Sequence, residues 1–347
     1  MLSMMEAGGV ALLVSILATP VLMRWLQVRR IGQHIREDGP ATHRLKAGTP
    51  TMGGVALVGA VIFGYFMGHI GPSVKFARTG QLVVIAVFMF AVIGFVDDWI
   101  KVRHRRSLGL NKRAKFGAQI GAGVIFAELA VHWAHTSTAL SFVRATSPGL
   151  PLGEVGWVIV ATFVMVATSN AVNLTDGLDG LAAGASTFCF AVLAIMGYWI
   201  FRHFPIYGIL PAGALDLALS AVALAGACLG FLWWNAAPAQ IIMGDTGALA
   251  IGSGLAALCL LLNLDLLLPI IGGLFVIETL SVIAQVVSFR AFGRRVLRMA
   301  PIHHHCELLG WPETTVIVRF WMLAGLFAAL GLGVFYGEFL LMNRVLA

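Results

Sequence analysis

The stretch SNAVNLTDGLDGLAAG, residues 169–184, places Asp176 and Asp179 in a glycine-rich turn between two long apolar runs. A carboxylate is very costly in hydrocarbon, so acids in such a position are expected at a membrane boundary or in a wet cavity. If the stretch opens a helix, Asn173, Asp176 and Asp179 fall at i, i+3 and i+6, close to one face. The alternative is a solvated turn in which the Asp-Gly pairs only supply turn geometry. The spacing favours a functional site.

The composition around this stretch is that of a polytopic membrane protein. Of the 347 residues, 59% are hydrophobic and 11% are charged, whereas about 25% are charged in an ordinary soluble domain. No soluble domain or low-complexity tract is visible, so we expect one integral membrane domain over residues 1–347. The net charge of +7 is expected when excess Lys and Arg residues orient the cytoplasmic loops and contact anionic membrane lipid. We expect no nucleic-acid partner, because no basic and aromatic motif is present.

Ten apolar runs reach the roughly 20 residues that a helix needs to cross a bilayer. The fifth and sixth runs flank the Asp turn so closely that they form a helical hairpin, and the ninth is interrupted by Gly272 and Gly273. The sequence therefore predicts an all-α fold of about ten transmembrane helices, the ninth of them broken. The runs lie near 7–27, 52–71, 80–100, 116–134, 154–173, 180–201, 211–233, 246–264, 267–289 and 315–341.

Basic residues predict how these helices are oriented. Of the 23 Lys and Arg residues, 17 lie in or beside the connections between runs one and two, three and four, and nine and ten. Because cytoplasmic loops are enriched in Lys and Arg, these connections are expected in the cytoplasm and both termini in the periplasm. The Asp turn then faces the cytoplasm, which predicts an active-site cleft at that face.

Three further acids stand at the same predicted face. Asp97 and Asp98 end the third run, where adjacent carboxylates oppose the helix dipole, so we expect a cation, from Lys101 or a metal, to hold them. Interfacial charges that only mark a helix end are the alternative. Asp245, in MGDTG, begins the eighth run, where helix N–H groups favour anions. An N-cap role would suffice for Asp245, but the flanking glycines favour close approach of a ligand or ion.

Three consecutive histidines, His303 to His305, follow Pro-Ile in the basic loop after the ninth run. Neighbouring side chains on a helix point about 100° apart, so the three cannot all bind one metal, and hydrogen bonding to phosphate or substrate is favoured. The loop KAGTPTMGG, residues 46–54, combines a cation, hydroxyls and glycines that suit phosphate oxygens. The segment LNKRAKF, residues 110–116, is a basic patch before a helix.

These features together predict chemistry on phosphates. Five acids at one face are more than the acid–base pair of a hydrolase needs. Mg²⁺ takes one or two carboxylates plus phosphate oxygens, and the Lys, Arg and His residues can neutralise the rest of a phosphorylated substrate.

Five motifs in register resemble the signatures of the polyprenyl-phosphate N-acetylhexosamine-1-phosphate transferases. They are TPTMGG at 49–54, FVDDWIK at 95–101, NLTDGLDGLA at 173–182, MGDTG at 243–247 and PIHHHCE at 301–307. The resemblance covers essentially the whole chain, and the TPTMGG loop with the His triplet is most similar to the branch that makes lipid I. Ile242 and Cys306 depart from the family pattern, in which aromatic residues are usual at both positions.

The resemblance implies transfer of phospho-N-acetylmuramoyl-pentapeptide from UDP-N-acetylmuramoyl-pentapeptide to undecaprenyl phosphate, with release of UMP. It also implies a Mg²⁺ requirement and a homodimer in the bacterial inner membrane. The catalytic residues would be Asp97, Asp98, Asp245 and His303; Asp245 would bind Mg²⁺, with Asp97 and Asp98 as further candidate ligands. The substrate-binding residues would be Lys46, Thr51, Lys101, Arg113, Lys115, Asn173, Asp176, Asp179, Asn235, Gln285, His304 and His305.

The sequence leaves alternatives open. The lipid phosphate could attack the sugar-side phosphorus directly, or Asp98 or Asp97 could first form a phospho-enzyme. A related transferase could use UDP-N-acetylglucosamine as the donor. A secondary transporter also has acids and glycine-broken helices, but its charges would be expected near the bilayer midplane, whereas the acids here lie at one face.

Overall fold

The computed structural model describes residues 1–29, 48–70, 74–104 and 108–346, with side chains through residue 342. Helices dominate the described chain, and two short strands form the one sheet in it. In order, the elements are α1 (Leu2–Val28), α2 (Gly54–Met67), α3 (Arg78–Arg103), α4 (Lys112–His132), β1 (Ala139–Arg144), β2 (Ser147–Pro151), α5 (Gly153–Thr175), α6 (Leu181–Arg202), α7 (Phe204–Tyr207), α8 (Pro211–Asn235), α9 (Gly244–Leu261), α10 (Leu268–Ile271), α11 (Gly273–Phe292), α12 (Ile302–Leu308) and α13 (Glu313–Leu346).

Each of the ten predicted apolar runs contains a helix. In the described residues, nine helices are long and apolar enough to cross a membrane, which confirms the all-α polytopic fold. The helix of the second run, α2, has only 14 residues, about 21 Å at 1.5 Å per residue. It starts later than predicted because the N–H groups of Gly53 and Gly54 donate to the loop before α9.

The ninth run is broken, as predicted. Its first turn is α10, Gly272 interrupts the helix, and α11 continues from Gly273. A Cβ at Gly273 would lie 2.5 Å from the ring of Phe327 in α13. The glycines therefore both end one helical segment and let α13 approach the start of the next.

A β-hairpin in the α4–α5 connection was not predicted. Strands β1 and β2 pair antiparallel, and the hairpin docks on the connection between α9 and α10. Ser141 N donates to Asp265 Oδ2 at 3.0 Å, and Leu266 N donates to Ser141 O at 2.8 Å. The strands are too short and too weakly alternating to stand out from the loop sequence.

Helix α9 lies at the centre of the bundle. Every residue from Thr246 to Leu261 is buried, and α2, α3, α5 and α8 pack around it. Helices α1, α11 and α13 expose large apolar side chains, including Leu17, Val287 and Leu326, as expected for surfaces in contact with lipid. The N-terminus of the central helix meets the C-terminal end of α3, and the acidic motifs meet there.

Candidate active site

Three carboxylates meet where α3 ends and α9 begins. Oxygen atoms of Asp97, Asp98 and Asp245 all lie within 4.8 Å of one another. Asp97 and Asp98 are buried, and Asp245 is partly buried. The motifs FVDDWIK and MGDTG, which are well separated in the chain, thus build one group of acids, the acid cluster.

Asp98 anchors the start of α9. Its Oδ2 accepts from Thr246 N at 2.9 Å and from Thr246 Oγ1 at 2.7 Å, and its Oδ1 accepts from Asp245 N at 3.2 Å. The N-cap of α9 is Met243, with no side-chain cap, so the alternative that Asp245 is the N-cap is wrong. A carboxylate from another helix satisfies the free N–H groups and leaves the Asp245 carboxylate for other partners.

Two lysines face the acid cluster. Lys101 Nζ lies 2.6 Å from Asp97 Oδ2 and 2.7 Å from Asp245 Oδ2, and Lys115 Nζ lies 2.5 Å from Asp245 Oδ2. Of the two cations expected beside the adjacent acids of α3, Lys101 or a metal, the described chain places Lys101 there. Asp97 Oδ1 also accepts from Leu110 N at 2.8 Å, which ties the acid cluster to the segment before α4.

Arg113 stands apart from this group. Its side chain is exposed in the first turn of α4. Its backbone N–H donates to the N-cap side chain, Asn111 Oδ1, at 2.8 Å. Substrate binding by Arg113 stays a prediction.

The TPTMGG loop is hydrogen-bonded to the loop that precedes α9. Ile242 N donates to Pro50 O at 2.8 Å, and Gly53 N donates back to Ile242 O at 2.9 Å. Thr51 is partly buried between these contacts. Ile242 takes part through its backbone, which any residue type except proline would allow. The predicted phosphate loop therefore lies beside the acid cluster.

Glycines set the distances between the helices of this site. A Cβ at Gly54 would lie 2.1 Å from Gly247 N, and a Cβ at Gly94 would lie 2.3 Å from Asp245 O. Real Cβ atoms essentially never approach other atoms below 3.0 Å. Helices α2 and α3 thus contact the first turn of α9 at distances that only glycine permits.

The Asp turn, residues 176–179, belongs to the same site. Asp179 is buried, and its Oδ2 accepts from Ala239 N at 2.9 Å. The pKa of Asp176 is raised to about 8, first by burial and then by the negative charges of Asp245, Asp98 and Asp179. Asn173 is partly buried on α5, one turn earlier. The charges of the Asp turn therefore interact with the acid cluster, whose three carboxylates form the group in the described chain that suits a cation.

We expect Asp176→Asn to stabilise the substrate-free protein at alkaline pH and to lower its activity. The pKa of an unfolded Asp is about 3.9, so a folded pKa of about 8 costs stability progressively as pH rises from 4 to 8. Asparagine carries no charge and removes this cost. Thermal unfolding in detergent from pH 5 to pH 9 should show a gain in Tm that grows with pH. A gain that is the same at pH 5 and pH 9 would contradict the raised pKa.

The buried histidine of the triplet contacts both a helix and the Asp turn. His303 is fully buried in α12, with Nδ1 3.0 Å from Glu278 Oε2 of α11. A Cβ at Gly177 would lie 2.4 Å from His303 Nε2 and 3.4 Å from His304 Nε2. The His triplet and the Asp turn, which are far apart in the sequence, are therefore packed together.

The three imidazole rings have different partners, as the helical spacing predicts. His304 Nδ1 lies 2.8 Å from Glu307 Oε2. His305 Nδ1 accepts from Arg298 N at 3.1 Å. Cys306, which follows them, is buried, and burial together with the Glu278 carboxylate raises the pKa of its thiol. In the described chain the grouping that suits a metal is formed by carboxylates and includes no histidine.

Two predicted substrate-binding residues contact protein backbone. Gln285 donates to Leu297 O at 3.0 Å and accepts from Leu297 N at 2.9 Å. Asn235 is buried and donates to Ile241 O at 2.9 Å. Each side chain thus holds a loop of the site, and its role in binding substrate stays a prediction. Lys46 lies outside the described residues.

Two residues of the site were not predicted. Thr246 binds Asp98 through both its backbone N–H and its hydroxyl, and Glu278 binds His303. Glu278 could have been predicted from the sequence, because an acid inside an apolar run is a functional candidate by default. Thr246 lies within MGDTG, but nothing in the sequence indicates which distant carboxylate it meets.

Comparison with known proteins places the chain in a family. Residues 81–263 match glycosyl transferase family 4, and residues 46–58 match phospho-N-acetylmuramoyl-pentapeptide-transferase signature 1. A Frankia alni protein named phospho-N-acetylmuramoyl-pentapeptide-transferase is 49% identical over 346 residues, 96% of this chain and 97% of that protein. The chain belongs to the phospho-N-acetylmuramoyl-pentapeptide-transferase family. Relatives of the same name from Salinispora arenicola and Saccharopolyspora erythraea are 45% and 47% identical, over 98% and 99% of this chain and 99% of each relative.

The acid cluster of this transferase-family member suits a divalent cation. Both oxygens of Asp98 already accept hydrogen bonds from α9. By contrast, Asp97 Oδ2 and Asp245 Oδ2 share the Lys101 ammonium, so these two oxygens converge on a point that favours positive charge. Mg²⁺ is usually bound by one or two carboxylates with water or phosphate completing its shell. The donor set fits Mg²⁺, with Asp245 and Asp97 as the better-placed ligands.

Proposed function

We propose that the chain transfers phospho-N-acetylmuramoyl-pentapeptide from UDP-N-acetylmuramoyl-pentapeptide to undecaprenyl phosphate, which yields lipid I and UMP. Membership of the family supports the reaction. The observation that carries the proposal in this chain is the acid cluster, which lies beside the TPTMGG loop and whose charges act on Asp176 of the Asp turn. We propose that residues 1–347 act as one membrane-embedded transferase domain.

Two lysines and a cation would stabilise the charge that develops on the diphosphate. Phosphoryl transfer depends mainly on positioning and charge stabilisation. Mg²⁺, held by Asp245 and Asp97, would supply Lewis-acid stabilisation of the diphosphate oxygens. Lys101 and Lys115, which contact Asp245, are placed to neutralise phosphate oxygens once they enter the site.

Direct attack by the lipid phosphate is the better-supported route. Asp98 accepts three hydrogen bonds from α9, and such a carboxylate is a weakened nucleophile. Asp97 has one oxygen bound to Leu110 N and the other beside Lys101. A phosphate monoester has a second pKa near 6 and is mostly dianionic at pH 7, so it needs little help from a base. A sugar-phosphoryl enzyme trapped without undecaprenyl phosphate would contradict this route and support the two-step one.

The other predicted site residues would bind the substrates. Lys46 and Thr51 would bind phosphate oxygens, His303 would assist transfer, and Asn173 would serve the nucleotide side. The other residues that we propose bind substrate are Arg113, Asp176, Asp179, Asn235, Gln285, His304 and His305.

We propose that the site faces the cytoplasm of a bacterial inner membrane. The excess of Lys and Arg on one set of connections supports this orientation, and with it the placement of both termini in the periplasm. The exposed apolar faces of α1, α11 and α13 are compatible with lipid contact and with a homodimer, which stays a prediction.

Purified protein in detergent should release UMP only when UDP-N-acetylmuramoyl-pentapeptide, undecaprenyl phosphate and Mg²⁺ are all present. Omission of each component in turn is the control for non-specific hydrolysis. Release with UDP-N-acetylglucosamine instead would assign the chain to the alternative donor. Proton- or sodium-driven uptake into vesicles, without UMP release from either donor, would favour a transporter.

A further inference from the structure

Glu278 is a buried acid to which the chemistry above gives no role. It lies in α11, is fully buried, and has Oε2 3.0 Å from His303 Nδ1. Its other oxygen, Oε1, has no hydrogen-bond partner in the described chain. A buried carboxylate is costly unless it is hydrogen-bonded, so its contact with His303 requires an explanation beyond packing.

The contact bears on which nitrogen of His303 carries a proton. A carboxylate, when ionised, only accepts hydrogen bonds, so its contact with Nδ1 selects the tautomer in which Nδ1 donates. Nε2 then faces the Asp turn, and it has no hydrogen-bond partner in the described chain. Whether the second ring nitrogen of a histidine carries a proton is commonly set by the hydrogen bond that the first nitrogen makes.

The same helix also fixes the backbone just before His303. Ser281 lies three residues after Glu278 in α11, and its Oγ accepts from Ile302 N at 3.0 Å. Gln285, one turn further along, binds Leu297 in the loop before α12. Because Glu278, Ser281 and Gln285 fall at i, i+3 and i+7, they form one polar face of α11, which holds the His segment against the Asp turn.

We propose that Glu278 is a positioning residue, which fixes the tautomer and orientation of His303 so that Nε2 is presented to the Asp turn. The inference rests on the proposed function, in which Asp176 and Asp179 of that turn bind substrate and His303 assists transfer. Gly177 is part of the arrangement, because a side chain there would occupy the space in front of Nε2. Glu278 acts through His303 and touches no substrate itself.

The tautomer can be measured without substrate, so this test does not depend on the proposed reaction. In protein labelled with ¹⁵N-histidine, the signal assigned by loss in His303→Gln should show neutral His303 protonated at Nδ1. Glu278→Gln should weaken this preference, because the neutral amide can either accept from Nδ1 or donate to it. Thr279→Val is the matched control and should keep the wild-type signal, because among the described residues the Thr279 hydroxyl donates to Phe275 O, within α11. A wild-type His303 protonated at Nε2 would overturn the proposal.

Kinetics provide the second readout. Glu278→Gln should lower kcat by about 10- to 100-fold, the loss expected when a catalytic group is displaced by about 1 Å, with little change in KM. In the His303→Gln background the same substitution should cost almost nothing further. An equal loss of kcat in both backgrounds would show that Glu278 does not act through His303 and would overturn the proposal.

Discussion

Asp245→Asn should reduce UMP release by at least about 10²- to 10³-fold, the loss found when one preorganised electrostatic group is removed from a site. The substitution keeps the size of the side chain and removes its charge. The Asp245 carboxylate is the shared partner of Lys101 and Lys115 and one of the three carboxylates suited to a cation. Its loss would misplace both ammonium groups and weaken metal binding. The measurement is UMP release against Mg²⁺ concentration, in which the variant should need more Mg²⁺ for whatever activity remains.

Asp265→Asn is the matched control for the loss of a buried carboxylate. Asp265 lies just beyond the other end of α9, is buried and accepts from Ser141 N. Burial raises its pKa to about 7, so the neutral amide closely resembles the form present below that pH. Activity and Mg²⁺ dependence should stay at the wild-type level in this variant. If Asp245→Asn and Asp265→Asn behaved alike, the acid cluster would not be the centre of the reaction.

The helices were the most predictable part of this protein. A run of about 20 apolar residues has few structures open to it in a bilayer, because each backbone polar group must be satisfied within the segment. The second run was overestimated most, by two residues at its start and four at its end. There, Gly53 and Gly54 bind the loop before α9, a tertiary contact that hydropathy does not reveal. The hairpin of β1 and β2 was missed for a related reason, since its docking on Asp265 and Leu266 depends on distant residues.

The residue types alone predict a kind of chemistry for the site, but the contacts among its residues could not be predicted from the sequence. The residue types in FVDDWIK and MGDTG indicated cation and phosphate chemistry before any geometry was known. Their spacing could not show that Asp98 holds the N-terminus of α9 while Asp97 and Asp245 share Lys101. That division follows from the crossing of α3 over α9 at Gly94, where the backbones nearly touch.

Gly54→Ala should disrupt the site from a position that carries no chemistry. The added methyl carbon would lie 2.1 Å from Gly247 N and 2.4 Å from Gly247 Cα. These are backbone atoms of a buried helix and cannot rotate away, so α2 and α9 must separate. Overpacking of this kind typically costs about 1 to 3 kcal/mol. A displacement of about 1 Å at a catalytic group can reduce the rate by about 10², so we expect a lower Tm in detergent and a loss of UMP release of that order.

Gly59→Ala, five residues further along α2, is the matched control. It shows whether the effect of Gly54→Ala comes from the close approach of α2 and α9 or from the loss of a helical glycine in itself. A Cβ at Gly59 would meet nothing within 4 Å, and alanine is favoured over glycine inside a helix by about 1 kcal/mol. This variant should be as active as the wild type and no less stable. If Gly54→Ala also retained full activity, the contact between α2 and α9 would not determine the position of Asp245. If only Gly54→Ala fails, the backbone contact of the two helices is what brings the TPTMGG loop to the acid cluster.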